Sequence, residues 1–345
     1  MKKFIFLGIF VFLSSLIIAQ EKEEKQLTNW NGNRPDGHAP ISVMGDHYHS
    51  KGGIMFSYRY MSMNMKGLLS GSDEVSNTEA HDAGYMVTPL EMPMKMHMLG
   101  AMYAPTDRIT LVAMAMYTQN DMDLQMRMMG NIVPFSTSSS GFGDLKLGMI
   151  YKFLNKNSQS LHGSLNFSLP TGSIEEMDVT PMSSPNEVQL PYPMQLGSGT
   201  FDTELGVTYL GQKETISWGN QLKAIVRFGD NSNDYSFGNK YELNNWFAVK
   251  TDDWLSFSVR LQGLIVDEID GTNPNLNPMM VTTADTTNSG GSYINGGLGF
   301  NLYAPKGSLK GFRLGFEYAT PLYQDVNGIQ LEQKETITVG LQYAL

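Results

Sequence analysis

The sequence predicts an all-β fold, a transmembrane antiparallel β-barrel of twelve strands, on three observations. Apolar and polar side chains alternate with period two through twelve segments, the spacing of a strand with two unlike faces. Short connections alternate with long ones along the chain. After residue 20, no stretch is continuously apolar over the ~20 residues that a spanning helix requires. In lipid only closure leaves no strand edge unpaired, so a barrel accommodates all three, while a soluble sandwich or propeller is the competing reading of the alternation alone.

Composition agrees with strands facing lipid. Charged residues are 17% of the 345, below the roughly 25% of soluble domains, and there are 35 glycines. A formal charge of −10 and the lack of a basic cluster exclude a nucleic-acid surface. Met1-Lys2-Lys3, the apolar run 4–18 and Ala19-Gln20 read as a secretory signal peptide over residues 1–19. Residues 20–50 are charged, aperiodic and turn-rich, and read as a flexible periplasmic segment. The barrel then covers 51–345, one domain, expected as a monomer in the outer membrane with lipid around it. Zero cysteines fits an exported chain without disulfides.

The elements follow in order. Segment one, 53–66, precedes a polar stretch, 68–85; segment two, 86–103, ends at Ala104-Pro-Thr-Asp-Arg108; segment three, 109–128, leads to a Ser/Gly loop expected at 136–141. Segment four sets Leu145, Leu147, Met149 and Tyr151 against Asp144, Lys146 and Lys152, and segment five sets Leu161, Leu165 and Phe167 against His162, Ser164 and Asn166. The longest loop, 171–199, holds most of the prolines. Segments six to nine begin near 200, 216, 239 and 255, and segments ten to twelve near 292, 312 and 336. The last ends in Gly340, Tyr343 and a terminal hydrophobe, Leu345, a pattern similar to the insertion signal of outer-membrane barrels.

Methionine dominates the first third, with 17 of 24 lying between Met44 and Met129. In segment one Ile54, Phe56, Tyr58 and Tyr60 alternate with Ser57, Arg59, Met61, Met63 and Met65. Arginine at mid-bilayer costs about 2–4 kcal/mol, so the Arg59 face turns inward and carries the methionines with it. Met92, Met94, Met96, Met98, Met114 and Met116 extend the stripe. Thioethers are soft ligands for Cu(I) or Ag(I), and His47, His49 and His97 are candidate imidazole ligands near its ends. The competing use of methionine is as a pliable filler, or as the lining of an accommodating apolar pocket. Arg59, Lys146, Lys152, Lys223, Arg227, Arg260, Arg313, Glu242 and Glu317 are expected in the lumen, pairing across the pore. His162, Ser164 and Asn166 share a face, which lumenal polarity explains without an enzyme, and no catalytic residue is assigned.

The motifs Gly141-Phe-Gly-Asp-Leu145, Phe167-Ser-Leu-Pro-Thr-Gly172 and Gly197-Ser-Gly-Thr-Phe-Asp202 carry a resemblance to the outer-membrane transporter family associated with the meta pathway of phenol degradation, over about 140–345. Gly45-Asp-His and Tyr58-Arg-Tyr-Met-Ser-Met look like a methionine-rich subgroup of it. The resemblance implies a twelve-stranded barrel akin to channels for hydrophobic compounds, with an uptake role. The expectation is therefore a channel for small, largely apolar solutes, the alternative being binding or transport of Cu(I) or Ag(I) through a methionine-lined lumen.

Overall fold

The structure, a computed structural model, describes residues 29–345. The signal peptide expected at 1–19 and the start of the segment 20–50 lie outside the described residues. The extended elements begin with β1 (Ile54–Gly71), β2 (Asp73–Val75), β3 (Val87–Tyr103), β4 (Ile109–Met128), β5 (Asn131–Phe142) and β6 (Leu145–Lys156). They continue with β7 (Gln159–Leu169), β8 (Met177–Val179), β9 (Glu187–Gln189), β10 (Phe201–Gln212), β11 (Ile216–Phe228) and β12 (Tyr235–Ser236). The remainder are β13 (Lys240–Lys250), β14 (Leu255–Val266), β15 (Asp270–Gly271), β16 (Gly291–Tyr303) and β17 (Phe312–Ala344).

The sheet runs β17-β16-β14-β13-β11-β10-β7-β6-β4-β3-β1, and β1 pairs back on β17, so the cylinder is closed. Every one of these pairings is antiparallel. Strand β17 meets β16 from Arg313 to Val326 and β1 from Val326 to Ala344, so this one run crosses the membrane twice around the turn at Asn327 and Gly328. Eleven runs thereby make twelve crossings. Strand β4 pairs with β6 through 109–114 and with β5 through 117–128, so β5 and β6 are the two halves of one crossing, interrupted at Gly143 and Asp144.

Burial is inverted relative to a water-soluble protein. Phe56, Leu99, Leu205, Leu222, Phe257 and Leu298 are exposed on the outer face, while Arg59, His162, Gln221, Asn244, Arg260 and Glu317 are buried on the inner one. An apolar outer belt on a closed antiparallel barrel is what lipid demands, and the chain is an outer-membrane β-barrel. No helix among the described residues is long and apolar enough to cross a membrane. The short turns, such as Asn157-Ser158, define the periplasmic end and the long loops the extracellular end.

Two stretches differ from expectation. Residues 136–141 are strand, not loop: they pair with 118–123 of β4, and the Ser139 hydroxyl donates to the Met194 carbonyl, so a serine-rich run is satisfied from both sides. The described part of the segment expected to be flexible fills the lumen. Its polar backbone finds partners on the inner wall. Arg313 donates to the carbonyls of Pro35 and Arg34, Ser217 to that of Asp36, and Gln221 to that of Met44. Its apolar members pack too: Ala39 and Val43 form a cluster with Leu210 and Trp246, and buried Ile41 lies over Gly315 and Gly340, whose missing side chains make the room. The sequence there reads as a linker because its order comes from the wall and not from a period of its own.

Candidate functional site

The extracellular mouth is capped by loop 170–200 and residues 272–290. Leu190 and Met194 from one and Val281 and Ala284 from the other form a core with Val87, Met92, Met122, Leu124 and Met126 of the wall. Beneath this cap lies a chamber of about 300 Å³, bounded by Met116, Leu196, Ile225 and Phe237 together with Asp144, Lys146, Asp202, Glu204, Arg227 and Lys240. Three acidic and three basic side chains thus surround it. Lys146 bridges to Glu204 at 3.2 Å and Arg227 to Asp202 at 3.2 Å. A second cavity of about 200 Å³ shares Arg227, Phe237 and Lys240 with the first and continues outward along Tyr192, Val266 and Ile269. A further groove of about 440 Å³, along Tyr151, Leu165 and Leu205, lies on the lipid-facing side over Gly163 and Gly206 and does not join them.

The chamber's side wall is the interrupted crossing. One edge of β5 pairs with β4, and loop 170–200 covers the other, with Ser138 N–H donating to Asp178. The interruption is tied by the three motifs that carry the family resemblance. Asp144 accepts from the Gly172 N–H at 2.9 Å with one oxygen, and from the Ser198 N–H at 2.9 Å and hydroxyl at 2.7 Å with the other. A Cβ on Gly172 would stand 2.7 Å from the Gly197 Cα, so the two loop strands touch backbone to backbone. Sequence reasoning noted these motifs without assigning Asp144, Gly172 or Ser198 a role; their position in all three motifs was the available signal. Lys240, Asp202, Glu204 and Phe237 were missed, because only the register shows that they share a space.

The register fixes the methionines. Met61 stands opposite Met96, Met63 opposite Met94 and Met65 opposite Met92, while Met98 lies between Arg59 and Met116, and Met114 faces Gly100. Since Arg59 is buried inside, all nine share the inner face. The stripe divides in two. Met92 is a member of the core under the extracellular cap, with Met65 and Met94 packed against it, and nearer the middle Met116 borders the chamber. His97 is not with them. It pairs with Tyr60 on the outer face, and its ring accepts or donates a hydrogen bond with the Tyr58 hydroxyl at 2.8 Å. Its odd position among even-numbered methionines requires this.

The lumenal ion pairs run along the wall and not across the pore, while Arg313 and Lys152 meet the lumenal segment instead. Lys223 bridges Glu242 at 3.1 Å on the neighbouring strand, Arg260 reaches Glu317 at 2.6 Å over an intervening strand, and Lys152 lies over the Tyr48 ring. His47 and His49 sit in the lumenal segment with His38 and Asp46. The His47 and His38 ring centres are 4.1 Å apart and those of His47 and His49 5.2 Å. Burial pushes His49 down to about 3, helped by neighbouring His47, and lowers His38 well below the usual imidazole range, with Arg313 adding to it. Burial alone would raise Asp46, but the His47 and His38 imidazoles and the Ala39 N–H outweigh it and hold the carboxyl far below its ordinary value. His162 on β7 hydrogen-bonds the Gly45 carbonyl at 3.0 Å, a structural contact between wall and segment.

No family model matches the chain, and no curated protein does. Among solved structures it is similar to an outer membrane channel from Pseudomonas putida F1, at 15% identity over 88% of this chain and 99% of that one, with a TM-score of 0.60. A weaker likeness is to the TodX monoaromatic hydrocarbon channel in its deltaS2 mutant form, at 10% identity over 86% of this chain and 90% of that one, TM-score 0.46. At such identities the likeness is one of fold: the chain has the closed barrel of an outer-membrane channel.

Proposed function

We propose that the chain is an outer-membrane channel for small, neutral, largely apolar solutes. The observation that carries this reading is the chamber's charge balance, three acids against three bases in or near ion pairs, which leaves no net field to select an anion or a cation. Met116, Leu196, Ile225 and Phe237 then supply apolar contact, and methionine adapts to solutes of different shape. Solute enters past Tyr192 and Phe237. Straight descent is blocked by residues 30–50, so the exit is sideways, at the interruption of the wall beside Gly143 and Asp144. The fold likeness to an outer membrane channel supports the reading. Proteoliposomes holding the folded barrel should take up a neutral aromatic probe faster than protein-free vesicles and discriminate against charged analogues of equal size. Equal rates with and without protein would overturn it.

A second reading has one observation in its favour: the paired register of Met61 with Met96 and Met63 with Met94 sets thioethers side by side, as Cu(I) or Ag(I) would need. Ag(I) titration separates the two. Binding that disappears when Met61, Met63, Met94 and Met96 become leucine favours the metal, and no binding leaves the methionines as lining.

A further inference from the structure

We infer that the lumenal segment holds a site for one divalent transition-metal ion, Zn(II) or Cu(II), formed by the imidazoles of His38, His47 and His49 with the carboxylate of Asp46 behind them. The inference is independent of what the channel carries. Its first support is a set of orphaned atoms. His38 Nδ1, His47 Nε2 and His49 Nε2 are all enclosed and have no hydrogen-bond partner, and His47 is 7% exposed. One buried nitrogen without a partner costs about 1–3 kcal/mol. Three of them within twelve residues, on rings that touch, call for a shared partner.

The second support is orientation. Asp46 Oδ1 accepts from His47 Nδ1 at 2.8 Å, which fixes the tautomer and leaves the Nε2 lone pair free. A ligating histidine is held in this way, its other nitrogen donating to a carboxylate. Asp46 Oδ2 stands 3.6 Å from His38 Nδ1, and donor atoms of His38, Asp46 and His47 all lie within 4.8 Å of one another. Around a tetrahedral ion with nitrogens at 2.0–2.1 Å, donors are roughly 3.4 Å apart and ligand rings about 5 Å between centres, so the His38, Asp46 and His47 donors need to contract by up to about 1.4 Å, and His49, outside that set, has to swing its ring inward. The ring separations of 4.1 and 5.2 Å are already of that order.

The donor set chooses the class of ion. Calcium and magnesium require six or more oxygens, and the cluster offers imidazole nitrogen with a single carboxylate. The thioether stripe suits a soft monovalent ion, whereas imidazole suits Zn(II) and Cu(II).

The test uses the full chain folded in detergent and checked by heat-modifiable migration. Zn(II), and separately Cu(II), is titrated against a chromophoric chelator. One ion per chain is expected, weakened at least a hundredfold in the double variant His38→Gln/His49→Gln and ten- to a hundredfold in Asp46→Asn. Leucine at Met61, Met63 and Met96 should leave the affinity unchanged. Folded wild type that retains no ion, or a folded double variant that binds as wild type does, overturns the site. Where the double variant does not fold, X-ray absorption on zinc-loaded wild type decides: a shell of nitrogen and oxygen is expected, and sulfur in it refutes the assignment.

Discussion

Arg260 of β14 and Glu317 of β17 meet at 2.6 Å across the whole width of β16, directly over Gly297. A Cβ on Gly297 would lie 2.7 Å from the Glu317 carboxylate, so the glycine is what lets two charges reach over a strand. Both side chains are nearly fully buried, and Ser42 of the lumenal segment donates to the other carboxylate oxygen. Glu317→Ala strands a buried guanidinium and should destabilise the barrel by about 3–5 kcal/mol, while the joint change Arg260→Met/Glu317→Leu should recover most of that. Gly297→Val should lie between the two. Urea unfolding in detergent ranks the three, and a double variant no better than Glu317→Ala would refute the ion-pair account.

Asp144 ties the interrupted wall through three charge-assisted hydrogen bonds. Replacing it by alanine takes the acceptor from the buried Ser198 N–H, at about 1–3 kcal/mol, and from the half-buried Gly172 N–H at less, without touching the outer face. The expected result is a barrel that stays folded with loop 170–200 open to limited proteolysis. Unchanged cleavage would mean that loop packing alone holds the interruption closed.

The lumenal segment blocks the pore. Removing residues 29–50 exposes a polar inner wall to water, which can satisfy Arg313, Ser217 and Gln221 in place of the lost carbonyls. The truncated barrel should conduct ions steadily in planar bilayers under conditions where the full chain is nearly silent. Equal conductance would contradict the plug.

Acid should loosen the same segment. His38 and His49 are depressed in the packed state, so the released segment binds more protons than the docked one below about pH 6.5, and docking stability falls as pH drops from there towards the His49 value of about 3. Asp46, also depressed, adds a loss below the ordinary carboxylate range. His49 contributes roughly 2 kcal/mol by pH 5, and His38 acts in the same direction. Protease access to residues 29–53 should rise between pH 7 and 4.5, and a flat profile would show that the imidazoles are not enclosed.

The barrel was legible because period two is written into most crossings, the exceptions being segments two and three, apolar on both faces, and Arg59 alone oriented the first strand. The same parity placed His97 outside, though its closeness to Met96 and Met98 in sequence suggested a shared site. Arg260 and Glu317 were each readable as lumenal, but not as partners, since 57 residues and a whole strand separate them and only the register joins them. Residues 136–141 resembled a loop by composition and became strand because Met194 and β4 satisfy their hydroxyls and backbone. The plug was illegible for the converse reason: nothing in Asn31–Gly37 is periodic, and its order is supplied by the wall.

The sideways exit is tested most directly by a reversible lock. The chain has no cysteine, and a Cβ on Gly141 would lie 2.8 Å from Leu196 Cδ1, so the two positions are neighbours and a disulfide formed in Gly141→Cys/Leu196→Cys would pin the loop to the interrupted wall. Uptake of a neutral aromatic probe into proteoliposomes is then measured oxidised and reduced. Uptake that falls severalfold on oxidation and returns on reduction is the predicted result. A rate indifferent to the disulfide, in protein shown to have formed it, would contradict passage through this opening.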